Sequence, residues 1–196
     1  MSPADLLAAL AAQRVLPLFT CESADTGLGV LEALHAGGLR IVEFTNRSAA
    51  ALAAFQSLAR QAAARLPDMI LGAGTILDRE QARAFHEAGA AFLVAPNLDD
   101  DVGGYCREHG LCWCPGTGTV TEMIRAHRLG AALIKVFPAD ALGGPAFVKG
   151  VRGPCPWLKL MPSGGVTLDA DNLRAWFADL EHRTRRLVAT LADIGR

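Results

Sequence analysis

Residues 69–96 read MILGAGTILDREQARAFHEAGAAFLVAP, and this stretch decides the fold. Its two apolar runs, residues 69–75 and 92–95, are short and bounded by turn-forming residues, as strands are. Between them, Asp78 can cap a helix that Gly89 ends. The stretch therefore predicts a strand, a helix and a second strand, with the two strands parallel.

The same unit repeats along the chain. Short apolar runs alternate with longer amphipathic segments, and glycine or proline ends most of them. The predicted strands cover residues 15–20, 40–45, 69–75, 92–95, 111–114, 133–137 and 158–162. Seven regular units favour an α/β fold of the TIM-type (β/α)8 barrel class, with a doubly wound sheet as the alternative.

Helix signals fill the segments between these strands. Ser2 and Pro3 are typical of an N-cap and a first helical residue, so a helix precedes the first strand. Ser48 can cap a long alanine-rich helix, and residues 115–119 form a candidate turn. Since no linker or low-complexity segment interrupts the units, residues 1–196 are predicted to form a single barrel domain.

Composition excludes several classes of protein. The 19 basic and 20 acidic residues leave a net charge of −1, whereas nucleic-acid binders normally show a basic excess. No apolar run reaches the ~18 residues that span a membrane, and the N-terminus lacks a signal-peptide pattern. The 5 cysteines are irregularly spaced, which favours reduced thiols in a cytoplasmic protein. The histidines lack ligand spacing, so no metal site is predicted.

Lys135 is a charged residue in the middle of an apolar strand, AALIKVFP. Burial of an ammonium is costly, so such a site should favour the neutral amine. A neutral amine is a nucleophile toward carbonyl carbon. The alternative interpretation is a lysine whose stem lies along the strand end while its ammonium reaches water.

Glu43 is a second charged residue inside a predicted strand. Alternation places Ile41, Glu43 and Thr45 on one face. If that face points into a barrel, Glu43 lies near the C-terminal mouth, where barrel active sites occur and where a carboxylate can shuttle protons. The alternative is an ion pair with Lys135 and no chemistry.

Weaker signals follow three strand ends. Arg47 can bind a substrate carboxylate through two parallel hydrogen bonds. The alternative is that it is a surface arginine. The glycines of residues 72–75 permit close approach of backbone to a ligand, or simply form a tight turn. Residues 163–165, Ser-Gly-Gly, can present backbone N–H groups to an anion, or are a plain turn.

Five motifs in order resemble the class I aldolases that cleave 2-keto-3-deoxy-6-phosphogluconate (KDPG) and 4-hydroxy-2-oxoglutarate. The resemblance extends from about residue 14 to residue 177 and is specific because the motifs keep their order and spacing. The motifs are VEFTNR at 42–47, GAGTI at 72–76, VAPN at 94–97, IKVFPA at 134–139 and MPSGGV at 161–166.

The resemblance implies a role for each matched residue. Lys135 would form an imine with the 2-keto carbon, and Glu43 would move protons through water. Arg47 and Thr75 would hold the carboxylate of the pyruvoyl group. The residues implied to line the pocket or its phosphate end are Pro96, Phe137, Ser163, Gly164 and Gly165. Such enzymes are usually homotrimers and need no metal, and no cofactor is expected.

The sequence departs from the family after the seventh strand. The family has an eighth strand with a glycine-rich turn that completes the phosphate site, and no such segment follows residues 176–178. Either the sequence lacks a segment that the protein possesses, or the deletion is genuine and the barrel is open. An open barrel would expose two strand edges, which favours the first explanation. An intact mass of 20.7 kDa would contradict it.

The resemblance implies a lyase that releases pyruvate. The expected reaction cleaves KDPG to pyruvate and glyceraldehyde 3-phosphate, and 4-hydroxy-2-oxoglutarate to pyruvate and glyoxylate. One alternative is a related aldolase for the galactonate epimer or for unphosphorylated 2-keto acids. Another is a non-catalytic protein that binds keto acids.

Overall fold

The computed structural model describes residues 2–167, in which helices alternate with strands. The helices are α1 (Pro3–Gln13), α2 (Ala24–Ala36), α3 (Ala51–Arg65), α4 (Arg79–Glu87), α5 (Asp100–Glu108), α6 (Val120–Arg128) and α7 (Gly144–Arg152). The strands are β1 (Leu18–Phe19), β2 (Ile41–Thr45), β3 (Ile70–Gly74), β4 (Phe92–Val94), β5 (Cys112–Cys114), β6 (Gly116–Thr117), β7 (Ile134–Val136) and β8 (Leu160–Pro162).

The unit predicted from residues 69–96 is confirmed. The Asp78 side chain accepts a hydrogen bond from the Gln81 backbone N at 2.7 Å and so begins α4. Gly89 has a φ of 104°, a left-handed conformation that lets the chain leave the helix. Strand β4 then pairs with β3 in parallel, with Ala73 opposite Leu93.

Strand order follows chain order in the described residues. One sheet has the order β1-β2-β3-β4-β5, and a second has the order β6-β7-β8. Only Pro115 separates β5 from β6, and its carbonyl accepts a hydrogen bond from Lys135 N at 2.9 Å. A doubly wound sheet would reverse its order at a switch point, so this arrangement favours the barrel.

The strands separate two apolar layers. One face of the sheets packs against the surrounding helices through residues such as Phe44, Leu93 and Val136. The other face, called here the inner face, packs against α1. Its buried apolar residues, together with those of α1, are Leu6, Leu10, Ile41, Phe92, Val94, Cys112 and Cys114.

The prediction that Ser48 caps the alanine-rich helix is wrong. Helix α3 begins at Ala51, and its N-cap is Ala50, which has no side chain that could make a capping bond. The Ser48 carbonyl instead accepts a hydrogen bond from Ala51 N at 3.1 Å. A turn between residues 48 and 51 therefore delays the helix.

The predicted turn at residues 115–119 also contains a strand, β6. Its first residue is Gly116, and a Cβ added there would lie 2.1 Å from the Pro96 carbonyl oxygen. Only glycine allows the two segments to approach this closely. The first strand is shorter than predicted, because only Leu18 and Phe19 pair with β2.

Three sequence predictions lie outside the described residues, at least in part. They are the segment where the eighth strand is missing, the closure of the barrel that depends on it, and the single domain as far as residue 196. None of the helices described between residues 2 and 167 combines the length and apolar character needed to cross a membrane. The same residues include no group of three His, Cys, Asp or Glu side chains placed to hold a metal ion.

Candidate active site

The sequence-predicted residues collect at the carboxyl ends of the strands. Glu43 lies within β2 and Lys135 within β7, both on the inner face by alternation with their outward-packed neighbours. The remaining predicted residues follow strand ends: Arg47 after β2, Thr75 after β3, Pro96 after β4, Phe137 after β7, and Ser163, Gly164 and Gly165 after β8. Because the strands are parallel, these positions share one end of the fold.

Glu43 is a buried carboxylate with only 2% of its surface exposed. Gly74 makes room for it, since a Cβ added there would lie 1.8 Å from Glu43 Oε1. A Cβ on Gly72 would collide with the ring of Phe92 in the same way. The Gly-x-Gly signal is therefore explained by side chains that occupy the space, and in particular by the carboxylate.

Glu43 Oε1 has no hydrogen-bond partner among the described residues. Neither Lys135 nor Arg47 forms an ion pair with it in that part of the chain. The interpretation of Glu43 as the structural partner of Lys135 is therefore not supported. A buried oxygen without a partner is costly, and such costs concentrate at functional sites.

Burial shifts both charged groups toward their neutral forms. It lowers the pKa of the Lys135 ammonium, an effect that the Glu43 charge opposes and the Arg47 charge reinforces. It raises the pKa of the Glu43 carboxyl, and here the charges of Lys135 and Arg47 oppose it. The arrangement can supply a neutral amine and a proton-carrying carboxyl on the same inner face.

Contacts of both the side chain and the backbone fix the position of Lys135. The residue is only 7% exposed, which disfavours a lysine whose ammonium reaches freely into water. Its Nζ lies 4.7 Å from the centre of the Phe137 ring. Its backbone carbonyl accepts a hydrogen bond from the buried hydroxyl of Thr117 at 3.1 Å, so the strand that carries the amine is fixed.

Arg47 and Thr75 follow neighbouring strands, β2 and β3. Arg47 is exposed, yet its charge affects the pKa of both Glu43 and Lys135. Thr75 has a φ of 61°, in the left-handed region that a β-branched residue rarely adopts. Strain of this kind persists where the surrounding structure enforces it, often at ligand sites.

The Ser163–Gly164–Gly165 turn contacts the segment after β7. Ser163 N donates a hydrogen bond to the Val136 carbonyl at 3.0 Å, so this N–H does not point to an anion. The Ser163 and Gly164 carbonyls accept hydrogen bonds from Ala139 N and Asp140 N. A Cβ on Gly165 would lie 2.1 Å from Asp140 Cβ, which places an acidic residue against the turn.

Sequence reasoning missed Cys114 and Asp140 as neighbours of the site. Cys114 is fully buried on the inner face, and its hydrogen bond with Cys112, together with burial, raises the pKa of its thiol well above the usual range. Cys114 gave no signal because the sequence does not show which face of its strand points inward. Asp140 gave no signal because it becomes adjacent to Gly165 only in the folded chain.

The sequence model of the family described as "KDPG and KHG aldolase" matches residues 7–182. The chain belongs to this family. The 2-dehydro-3-deoxy-phosphogluconate aldolase of Treponema pallidum is 36% identical over 161 residues, which are 82% of this chain and 75% of that protein. The aldolase of the same name from Pseudomonas aeruginosa is 36% identical over 156 residues, 80% of this chain and 69% of the relative.

Solved structures of these aldolases share the fold. The 4-hydroxy-2-oxoglutarate/KDPG aldolase from TTHB1 superposes with a TM-score of 0.81 at 31% identity and covers 99% of this chain and 97% of its own. A KDPG aldolase from Legionella pneumophila, with pyruvate captured as a covalent carbinolamine, has a TM-score of 0.79 at 25% identity, with 99% and 96% coverage. The chain is therefore an aldolase, a lyase with a TIM-type α/β fold.

Proposed function

We propose that this aldolase acts by class I chemistry, with Lys135 forming an imine with a 2-keto acid. The observation that carries the proposal is a buried amine whose pKa is lowered by burial, on the same inner face as a buried carboxyl whose pKa is raised. An amine must be neutral to attack a carbonyl carbon. The missing ion pair between them leaves Glu43 free to act on the substrate.

The proposed reaction balances with these two groups. Lys135 Nζ bonds to the 2-keto carbon, and the former carbonyl oxygen takes one proton from the amine and a second from the Glu43 carboxyl and leaves as water, which gives a protonated imine. The imine accepts the electron pair of the breaking C3–C4 bond, and the C4 hydroxyl loses its proton as the aldehyde departs. Glu43 carries these protons, directly or through water. Protonation at C3 and hydrolysis release pyruvate and return the amine.

Arg47 and Thr75 are proposed to hold the carboxylate of the keto acid. A guanidinium forms two parallel hydrogen bonds with a carboxylate, and a hydroxyl adds a third donor. Pro96 and Phe137 are proposed to line the cavity beside the reacting carbon. The supporting geometry is the 4.7 Å separation between Lys135 Nζ and the Phe137 ring.

The proposed substrates are KDPG and 4-hydroxy-2-oxoglutarate, with Ser163, Gly164 and Gly165 at the phosphate end. One observation favours a second candidate, an aldolase for unphosphorylated 2-keto acids. Asp140 lies against Gly165, and Ser163 N is already bonded to Val136. A carboxylate beside a phosphate dianion is repulsive. Comparison of kcat/KM for KDPG and its unphosphorylated form, with Asp140→Asn as the paired variant, distinguishes the two candidates.

Borohydride reduction in the presence of pyruvate tests the imine. The wild type should gain one covalent adduct, and peptide mapping should place it on Lys135. The sequence offers a matched control, because Lys149 is an exposed lysine on α7. Lys149→Ala should gain the adduct and Lys135→Ala should not. A wild type without an adduct, or with one on Lys149, would overturn the proposal.

The protein is further proposed to be a cytoplasmic homotrimer. Its five cysteines are free thiols, which is consistent with a reducing compartment. Leu18, Leu77 and Val120 are exposed apolar residues that an interface could cover. Light scattering should give three times the mass of one chain, whereas the mass of a single chain would contradict the trimer.

A further inference from the structure

The loop after β2 and the loop after β3 are joined by two side-chain amides. Asn46 Nδ2 donates a hydrogen bond to Gln81 Oε1 at 3.3 Å. The same Gln81 oxygen accepts a hydrogen bond from Leu77 N at 3.1 Å. We call this pair of residues the Asn46–Gln81 bridge. It connects the residue before Arg47 to the loop that contains Thr75.

The orientation of the bridge is fixed by its other partners. Leu77 N is a donor, so it must face the oxygen of Gln81. Gln81 Nε2 then donates to Asp78 Oδ2 at 2.8 Å, at the N-cap of α4. Asn46 therefore has to present its own amide nitrogen. One arrangement of the two amides satisfies all of these bonds at once.

The bridge acts on the backbone that holds Thr75 in its left-handed conformation. Before Thr75, the Gly74 carbonyl accepts a hydrogen bond from Asn46 N at 2.8 Å. After it, Ile76 N donates to the Val94 carbonyl at 3.2 Å, and Leu77 N donates to Gln81. A β-branched residue with a φ of 61° needs such restraint on both sides.

We infer that Asn46 and Gln81 are positioning residues that set the spacing between Arg47 and Thr75, and thereby the selectivity of the site for a substrate carboxylate. The inference rests on the proposed function, in which these two residues hold that carboxylate. Two donors on separate loops match one carboxylate only if the loops keep a fixed separation. Neither bridge residue is among those proposed to touch the substrate or the reacting atoms.

The test compares pyruvate with pyruvamide, a neutral ketone of nearly the same size, in borohydride trapping. The variants are Asn46→Leu, Gln81→Met and the double variant, each close in volume to the original. The matched control is Gln61→Met, since Gln61 is also a half-buried helical glutamine, and within residues 2–167 its side chain bonds only Ser57 of its own helix.

For pyruvate, each single bridge variant should raise the half-saturating concentration by about three- to tenfold, because uniform binding is lost. The amount trapped at saturation should stay unchanged, and so should the half-saturation for pyruvamide. The double variant should resemble one single variant, because either substitution breaks the same connection. Gln61→Met should match the wild type for both ketones.

Several results would overturn the inference. Equal losses for pyruvate and pyruvamide would show a general structural role, and effects that multiply in the double variant would show two independent residues. Unchanged pyruvate half-saturation would show that the bridge does not matter. If the wild type itself traps neither ketone, the proposed function fails and the bridge with it. Adduct formation by the wild type separates the two failures.

Discussion

The two ends of the inner face carry opposite kinds of residue. At the amino ends of the strands, α1 covers the sheet with Leu6 and Leu10, and the Gln13 amide is fully bonded. Its oxygen accepts hydrogen bonds from Arg40 N and Ile41 N, and its nitrogen donates to the carbonyls of Val15 and Ile41. At the carboxyl ends, Glu43 and Lys135 are buried, and Glu43 Oε1 has no hydrogen-bond partner among the described residues.

The contrast separates stability from chemistry within one fold. Apolar packing and satisfied amides at the α1 end lower the free energy of the folded state. The candidate catalytic end contains an oxygen without a partner among the described residues, an amine shifted toward neutrality and a strained threonine. Those features raise the free energy of the folded state, so the α1 end has to compensate for them.

Lys135→Met should produce the largest effect. Loss of the proposed nucleophile should lower kcat/KM for aldol cleavage by about 10⁴-fold or more. The amine is already buried, so its removal should not lower the unfolding free energy through lost hydration. Its removal does leave the buried Glu43 carboxylate without a nearby positive charge, which should lower the unfolding free energy.

A double-mutant cycle with Glu43→Leu, measured by urea unfolding, separates these contributions. The double variant should be more stable than Lys135→Met alone. Lys149→Met, on the exposed side of α7, should change neither activity nor stability. If Lys135→Met kept substantial cleavage activity, the catalytic end would have been assigned to the wrong residue.

Glu43→Gln should lower kcat/KM by about 10²–10⁴-fold, because the proton carrier is lost. The same variant should be more stable than the wild type at neutral pH. The pKa of Glu43 is raised in the fold above 4.5, so its favourable contribution is present below pH 4.5 and is lost as the pH rises through the folded-state pKa.

Urea unfolding at pH 4 and pH 7 measures this directly. The stability difference between Glu43→Gln and the wild type should grow between the two pH values. Glu80→Gln, an exposed residue on α4, provides the control. A difference that does not change with pH would show that Glu43 is not destabilised by burial.

Leu6→Ala should lower stability through the α1 end and leave the kinetics of the candidate catalytic end unchanged. Leu6 is 1% exposed, and removal of a buried leucine side chain costs about 2–5 kcal/mol of unfolding free energy. Under conditions where the variant is folded, kcat and KM should stay close to those of the wild type. Leu7→Ala, at a half-buried position on the same helix, should cost less. A large fall in kcat would show that the two ends are coupled.

The smallest of the expected effects is a change in the pKa of Lys135 and Glu43 in the variant Arg47→Ala. The Arg47 charge lowers the pKa of both Lys135 and Glu43, so its removal should raise both. The pH profile of imine formation should therefore move to higher pH, and more so at low salt because Arg47 is exposed. Arg47→Lys should leave the profile nearly unchanged. A move to lower pH would contradict the sign of this coupling.

Most of the fold could be predicted because its strands and helices alternate regularly along the chain. Glycine and proline punctuation, with caps such as Asp78, placed six helices and seven strand segments close to their observed positions. Ser48 failed as a cap because the turn between residues 48 and 51 satisfies the backbone differently. Strand β6 was missed because it has only two residues and pairs with β7, where Gly116 lies opposite Lys135, which is distant in sequence.

The sequence by itself determined the residue types of the candidate site and the strands that carry them. A lysine and a glutamate inside apolar strands are anomalous wherever the strands lie, so Lys135 and Glu43 needed no coordinates. Tertiary structure alone decided that Gly74 makes room for the carboxylate, that Asp140 lies against Gly165, and that Asn46 reaches Gln81. Each of these contacts joins segments that are distant along the chain, so no local sequence pattern indicates it. Side-chain packing of this kind is set by the folded geometry.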